Sequence, residues 1–306
     1  MRGGRGRRWR GRYDMNLWFV VFVGPFAAGL LIFGYIPLLW SVGLSFFEAH
    51  NTVTPSWDRW VGLGNYVDMV ADPAFQDALL TFVVFAAAIV PLTFLCSLGA
   101  ALLLLHTRRG QAFFRSVFFL PTACSYVVAA LIWKMSIFSG VRFGVANTVL
   151  AWGGLDPVPW LSVIEPPWYW MVLVSARLWL QVGFYMVLLL AGLHRIDPTI
   201  YEAAAVDGAT GWAAFRHVTL PLLRPTSIAV LLLLLVNAFQ AFDEFVNILA
   251  TFTGYPPYAR PPLVYLYYVA LGRGQDFGHG NAGAILLILL IGVIALAGRR
   301  LTPESD

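Results

Sequence analysis

The chain has 306 residues, of which 59% are hydrophobic and only 12% charged, whereas a soluble domain carries about 25% charge. That deficit excludes an ordinary soluble enzyme and makes lipid the expected solvent for much of the surface. The net charge of +4 is concentrated in a few clusters beside apolar runs, a pattern of membrane topology anchors rather than of a nucleic-acid surface.

Arg2, Arg5, Arg7, Arg8, Arg10 and Arg12 precede an uncharged run from Met15 to Phe47. A signal peptide has the same order of charge and apolar residues, but its apolar region ends after about 7–15 residues at a small-residue cleavage site. This run is far longer, so it reads as a first transmembrane helix retained in the mature protein. Pro25 and Pro37 mark where it kinks. Further runs long enough to cross a bilayer follow, at about 20 apolar residues per crossing. The six expected spans are 17–46, 78–105, 113–136, 168–193, 226–250 and 281–298. The expected fold is all-α: a polytopic bundle of six transmembrane helices occupying 15–300. A basic tail, 1–14, precedes it and a short tail, 301–306, follows it.

Lys and Arg favour the cytoplasmic side. With both termini inside, the tail arginines, Arg108, Arg109, Arg115, Arg195, Arg216, Arg224, Arg299 and Arg300 are cytoplasmic. Only Arg59, Arg142, Arg260 and Arg273 fall outside. The reverse orientation would export the whole arginine tail. The outer loops hold Trp57, Trp60, Trp152 and Trp160, with Trp168 and Trp170 at the boundary. These form an interfacial belt, with sugar stacking as the sharper alternative.

Cys96 and Cys124 sit inside apolar runs and give neither a disulfide framework nor metal spacing. The sequence holds no P-loop, no HExxH and no GxSxG, and its five histidines lack ligand spacing. No enzymatic site is expected, and any ATP must bind to another chain.

The loop at 194–225 differs from a simple connector. Asp197 can cap a helix with Pro198 at its first position. That helix runs through Glu202 to Ala205, and Gly208 can end it with a positive φ. Thr210 can cap a second helix through Trp212 and Phe215, broken at Leu220-Pro221. The result is a cytoplasmic helix-turn-helix whose alanines let another backbone approach closely. Between spans four and five, it can pass a push to both.

Glu202-Ala203-Ala204, then Gly208 after three residues, Val218 after nine more and Leu220-Pro221 one residue beyond resembles the EAA loop of bacterial ABC importer permeases. Val218 stands where isoleucine is commoner. The run through Asp207, Gly208 and Ala209 is similar to the carbohydrate-type, maltose/glycerol-3-phosphate branch. Val61 to Tyr66, Phe242-Asp243 with Thr253-Gly254 and Pro256, and Phe277-Gly278 look like further family stretches, although Tyr255 replaces a glycine. The resemblance covers most of the chain. It implies a subunit of the bacterial inner membrane that joins a second permease and two ATPases holding ATP and Mg²⁺. An extracellular solute-binding protein, often a lipoprotein, would deliver a sugar-like solute. It also implies that Glu202, Ala203, Ala204, Asp207, Gly208 and Pro221 couple to the ATPase.

Ionisable groups within the bilayer tend to face a pathway or a partner. Arg177 lies about 13 Å beyond Trp168 along a helix, near the midplane, either meeting solute or pairing between spans. Gln181 and Asn237 lie at similar depth and are path candidates. Asp243 and Glu244 fall about 26 Å along an unbroken span five, near the outer surface. Glu244 is then expected to be solvated, while Asp243 is a path candidate that can pair with Arg177. Import of a polyamine or phosphate is the nearest alternative. A polytopic enzyme for lipid-linked sugars would need paired carboxylates, and only Asp243-Glu244 are adjacent.

Overall fold

The computed structural model describes residues 7–107, 109–140, 144–251, 254–272 and 274–299. Arg2, Arg5, Arg108, Arg142, Arg273, Arg300, Thr253 and the 301–306 tail lie outside the described residues. The described chain folds into helices and loops, with isolated bridges as the only β pairing among those residues.

The first span comprises α1 (Arg7–Leu30), a π turn at Leu31–Tyr35 and α2 (Ile36–Leu44). The irregularity precedes Pro37, whose ring removes one helical donor and crowds the turn before it. A short α3 (Gly64–Ala71) and then α4 (Pro73–Leu105) follow. Asp72 caps α4 by accepting from the Ala74 amide at 2.9 Å, and Pro73 occupies the position where a missing N–H costs nothing. The second span therefore begins five residues before the expected start.

The third span is not a single rod. α5 (Gln111–Phe119) runs into a 3₁₀ turn, Leu120–Ala123; the chain then bends by 94° into α6 (Tyr126–Ile132), which continues as a π turn to Ile137. Pro121 and the Ser125 cap, whose hydroxyl accepts from the Val127 amide, set the corner. α7 (Val145–Trp152) lies in the following loop, and α8 (Tyr169–Leu193) is the fourth span.

Next come the loop helices α9 (Pro198–Val206) and α10 (Trp212–Ala214), and then α11 (Leu220–Phe239). The expected break at Leu220-Pro221 is absent. A π turn at Phe215–Thr219 absorbs the proline, and Trp212–Phe239 runs as one helix of 28 residues. The real break lies further on, at Gln240–Phe242, before α12 (Asp243–Leu249). α13 (Pro262–Leu271) and the last span, α14 (Phe277–Arg299), complete the order.

Packing divides the chain into two compact units. The smaller contains residues up to 70 and 268–285. Within it, the Asn65 amide donates to the carbonyls of Ser45 and Phe47, both at 2.9 Å. Gly278 packs so closely on this loop that a Cβ there would stand 2.5 Å from the Phe47 carbonyl oxygen. Two stretches separated by over 200 residues are thereby fastened together.

The larger unit packs α8 against α4, α5 and α11. Leu98, Ala101, Leu104, Met186, Leu189 and Leu234 fill its centre. Small residues let backbones close: a Cβ on Gly183 would meet the Phe118 carbonyl oxygen at 1.8 Å, and one on Gly192 would meet Thr226 at 2.7 Å.

Candidate functional site

Arg177 and Gln181 stand one turn apart on α8 and so share a face. The face is buried, with Arg177 3% and Gln181 7% exposed. Opposite it, α11 ends at Phe239, and the Gln240 amide closes its last turn by donating to Asn237 O at 3.1 Å. Arg177 Nη2 also donates to Asn237 O, at 2.7 Å, and to the Asn237 side-chain oxygen at 2.6 Å. Gln181 Nε2 donates to that same side-chain oxygen at 2.6 Å and to the Tyr126 hydroxyl at 3.1 Å. The Arg177 guanidinium lies 4.7 Å from the centre of the Tyr126 ring, a cation–π arrangement.

The anionic partner is Glu244. Its Oε1 accepts from Arg177 Nη1 at 2.5 Å, and the side chain is 1% exposed. This corrects two expectations: Glu244 is not solvated, and Asp243 is not the group that meets Arg177. The reason is the break at Gln240–Phe242. It redirects the chain, so the 26 Å projection along a straight helix does not apply. Asp243 and Glu244 open α12, where acidic side chains meet the positive end of the helix; Asp243 is exposed while Glu244 turns inward. The carboxylates therefore diverge and form no catalytic pair. At its other end, α12 is held by Lys134 Nζ, which donates to Ala250 O at 2.7 Å and Asn247 O at 3.3 Å.

Beside this network lies a cavity of about 160 Å³, lined by Thr122, Tyr126, Gln181, Phe184, Tyr185 and Asn237 among others. The bend between α5 and α6 delivers Thr122 and Tyr126 to it. Gln181 and Asn237 both line this cavity and are bonded to each other. Arg177 lies behind them, and Asp243 is not part of the wall. Sequence reasoning missed Tyr126, Lys134 and the role of Glu244. The Pro121 to Ser125 cluster was the available signal for the first, because a proline amid a span implies a bend.

The loop after span four has the expected first helix. Asp197 Oδ1 accepts from the Thr199 amide at 2.9 Å and its hydroxyl at 2.8 Å. These bonds, the backbone one foremost, hold the Asp197 carboxyl below the usual aspartate range. Gly208 ends the helix region with φ +80. The second cap differs: Gly211, not Thr210, precedes α10, at φ +54 and ψ −119, where side chains are strained. The Tyr201 hydroxyl meets Thr219 Oγ1 at 3.0 Å, tying α9 to the π turn. Glu202, Ala203, Asp207, Gly208 and Pro221 are exposed and Ala204 is half-buried, while Val206 and Trp212 are 88% and 72% exposed. Among the described residues no group of three or more His, Cys, Asp or Glu is placed to hold a metal ion.

No protein-family model matches the sequence, but relatives match nearly end to end. The lactose transport system permease protein LacF of Rhizobium radiobacter is 32% identical over 288 residues, covering 92% of each chain. The trehalose/maltose permease MalF of Thermococcus litoralis is 31% identical over 268 residues, covering 87% of each. A crystal structure of a bacterial ABC transporter that imports the acidic polysaccharide alginate includes a chain superposing with a TM-score of 0.80. Its sequence is 25% identical, and the match covers 98% of this chain and 99% of that one. With the EAA-type loop, apolar spans and end-to-end relatives in agreement, this chain belongs to the carbohydrate-type permease subunits of binding-protein-dependent ABC importers.

Proposed function

We propose that the cavity at Tyr126, Gln181 and Asn237 is part of the route of a sugar-like solute and that the loop 198–221 receives the ATPase. One observation carries this reading: Trp212–Phe239 is a single helix, about 42 Å long at 1.5 Å per residue. One end belongs to the loop, and near the other Asn237 forms part of the cavity wall. A displacement of the loop therefore reaches the cavity through a continuous hydrogen-bonded element. Tyr201 joins α9 to the same lever. The exposed Val206 and Trp212, beside the small Ala203 and Gly208, offer an apolar surface that a partner can cover.

In this reading the chain works beside a second permease and two ATPase subunits, which hold ATP and Mg²⁺. An extracellular solute-binding protein supplies the solute, and hydrolysis occurs wholly in the partner ATPases. Glu202, Ala203, Ala204, Asp207, Gly208 and Pro221 serve coupling. Gln181 and Asn237 contact solute, Arg177 supports them, and Asp243 belongs to the outer approach.

The test is reconstitution of the complete complex in vesicles, with ATP hydrolysis, sugar accumulation and subunit content measured together. Ala203→Asp places a charge on the docking surface and is expected to release the ATPase and abolish uptake. Gln181→Ala is expected to lower uptake with the ATPase still attached. Uptake unaffected by both substitutions would overturn the proposal.

A further inference from the structure

We infer that the buried Arg177–Glu244 pair makes the cavity selective for uncharged, polyhydroxylated solutes, with Glu244 cancelling the guanidinium charge that would otherwise attract anions. This inference rests on the reading of the cavity as solute route and adds the charge class of the solute.

None of the residues that line the cavity carries a formal charge at neutral pH. Its polar groups are the amides of Gln181 and Asn237 and the hydroxyls of Thr122, Tyr126 and Tyr185, each able to exchange hydrogen bonds with hydroxyl groups. Phe184 and the two tyrosine rings supply flat apolar faces. A carboxylate or phosphate entering this space would shed water and meet no counter-charge, which is strongly unfavourable.

Arg177 is the cation nearest to hand, one turn behind Gln181. Its Nη1 is held by Glu244 at 2.5 Å, and both side chains are almost wholly buried. Turning Arg177 towards an anionic solute would strand Glu244 in the interior without a partner. The pair is thus neutral as seen from the cavity. Arg177 keeps a second task through Nη2, which fixes the Asn237 oxygen that Gln181 also uses. Charge cancellation and positioning therefore belong to different nitrogens. Replacing Glu244 by glutamine removes the first while retaining the bonds to Asn237. The alginate transporter handles an acidic polysaccharide, and its fold likeness carries no such charge assignment to this chain.

The experiment measures equilibrium binding to the complete permease–ATPase complex in detergent, with no binding protein present. The probes are lactose, maltose and trehalose, set against lactobionate, maltobionate and trehalose 6-phosphate. The expected result is binding of neutral sugars and exclusion of their anionic counterparts. E244Q is expected to improve anion binding by at least about tenfold, since an uncancelled charge within a turn of the site acts through a medium of low dielectric. The double substitution R177Q/E244Q restores neutrality and is expected to return the preference to neutral sugars. It gives up the Nη2 bonds to Asn237 but leaves no unmatched buried charge, so it is expected to fold even where E244Q alone does not. Wild-type complex that binds the anionic sugars as well as the neutral ones overturns the charge assignment and leaves the route intact. An unchanged preference in folded E244Q, or anion binding gained by the double variant, also overturns it. Binding of neither class overturns the route itself, and the inference with it.

Discussion

Arg177 buries a permanent charge, and its three bonds to Glu244 and Asn237 replace part of the lost solvation, while Arg177 Nε and Glu244 Oε2 stay unbonded among the described residues. Removing one member of such a pair leaves the other buried and unmatched. Arg177→Ala is therefore expected to destabilise the complex by about 3–5 kcal/mol, whereas replacing both partners by glutamine costs much less. Thermal inactivation of the purified complex, compared across the single and double variants, reads this difference. Gly183 makes an independent case. Its missing side chain lets α8 touch the Phe118 carbonyl, with a Cβ position only 1.8 Å away. Gly183→Ala is expected to lower stability by at least about 1–3 kcal/mol through overpacking, and the same thermal assay checks it. Arg177, Gln181 and Asn237 were legible in the sequence because polar groups in apolar runs stand out. The partner of Arg177 was not. Asp243 and Glu244 are adjacent, and the break that decides between them, Gln240-Ala241-Phe242, contains neither glycine nor proline.

At the scale of the elements, capping determines how firmly the coupling loop holds its shape. The bond from the Thr199 amide to Asp197 satisfies a backbone donor that the first turn of α9 leaves open, and the Thr199 hydroxyl adds a second bond to the same oxygen. Asp197→Ala is expected to accelerate amide hydrogen exchange through 198–206 and to weaken uptake, while Asp197→Asn, also able to accept the bonds, preserves both. The carboxyl sits below its ordinary range, so its stabilising effect is present above that range and fades only as pH falls through the lowered value. The cap should therefore be indifferent to pH from about 6 to 8, so exchange protection through 198–206, taken relative to the intrinsic exchange rate at each pH, is expected to stay flat. Asp197, Pro198 and Gly208 announced this helix in advance because each has a local conformational reason to be there. The π turn at Phe215–Thr219 was not announced. A proline read by itself stops a helix, and only a preceding turn that widens lets the helix continue. The first span repeats the arrangement, with its π turn ending at Tyr35, two residues before Pro37. In both places the sequence indicated an irregularity and the fold chose a bulge over a break.

For the whole molecule, the orientation depends on the bent pair α5 and α6. Among the described residues five helices are long and apolar enough to cross by themselves, and the pair supplies a sixth crossing only if its two arms together traverse the bilayer. Arms of 13 and 12 residues, Gln111–Ala123 and Tyr126–Ile137, meet at 94°. Tilted equally, they climb about 26 Å at 1.5 Å per residue, close to the hydrocarbon thickness of about 30 Å. The pair is thus able to cross. Six crossings return both termini to one side and leave the 194–225 loop on that side with them. Five would place the arginine tail and the Arg299 end on opposite faces, which the distribution of Lys and Arg opposes. The coupling loop would then face away from the N-terminal tail, and whichever side held the ATPase, the charge bias would be broken at one end. Fusions to the full-length chain test the parity. A fluorescent protein at the C-terminus is expected to mature and fluoresce, and alkaline phosphatase inserted after Asp156 is expected to be active. The same enzyme inserted after Ala209 is expected to be inactive. An active insertion after Ala209 together with an inactive one after Asp156 would mean that α5 and α6 enter and leave by the same face, and that the pair is no crossing.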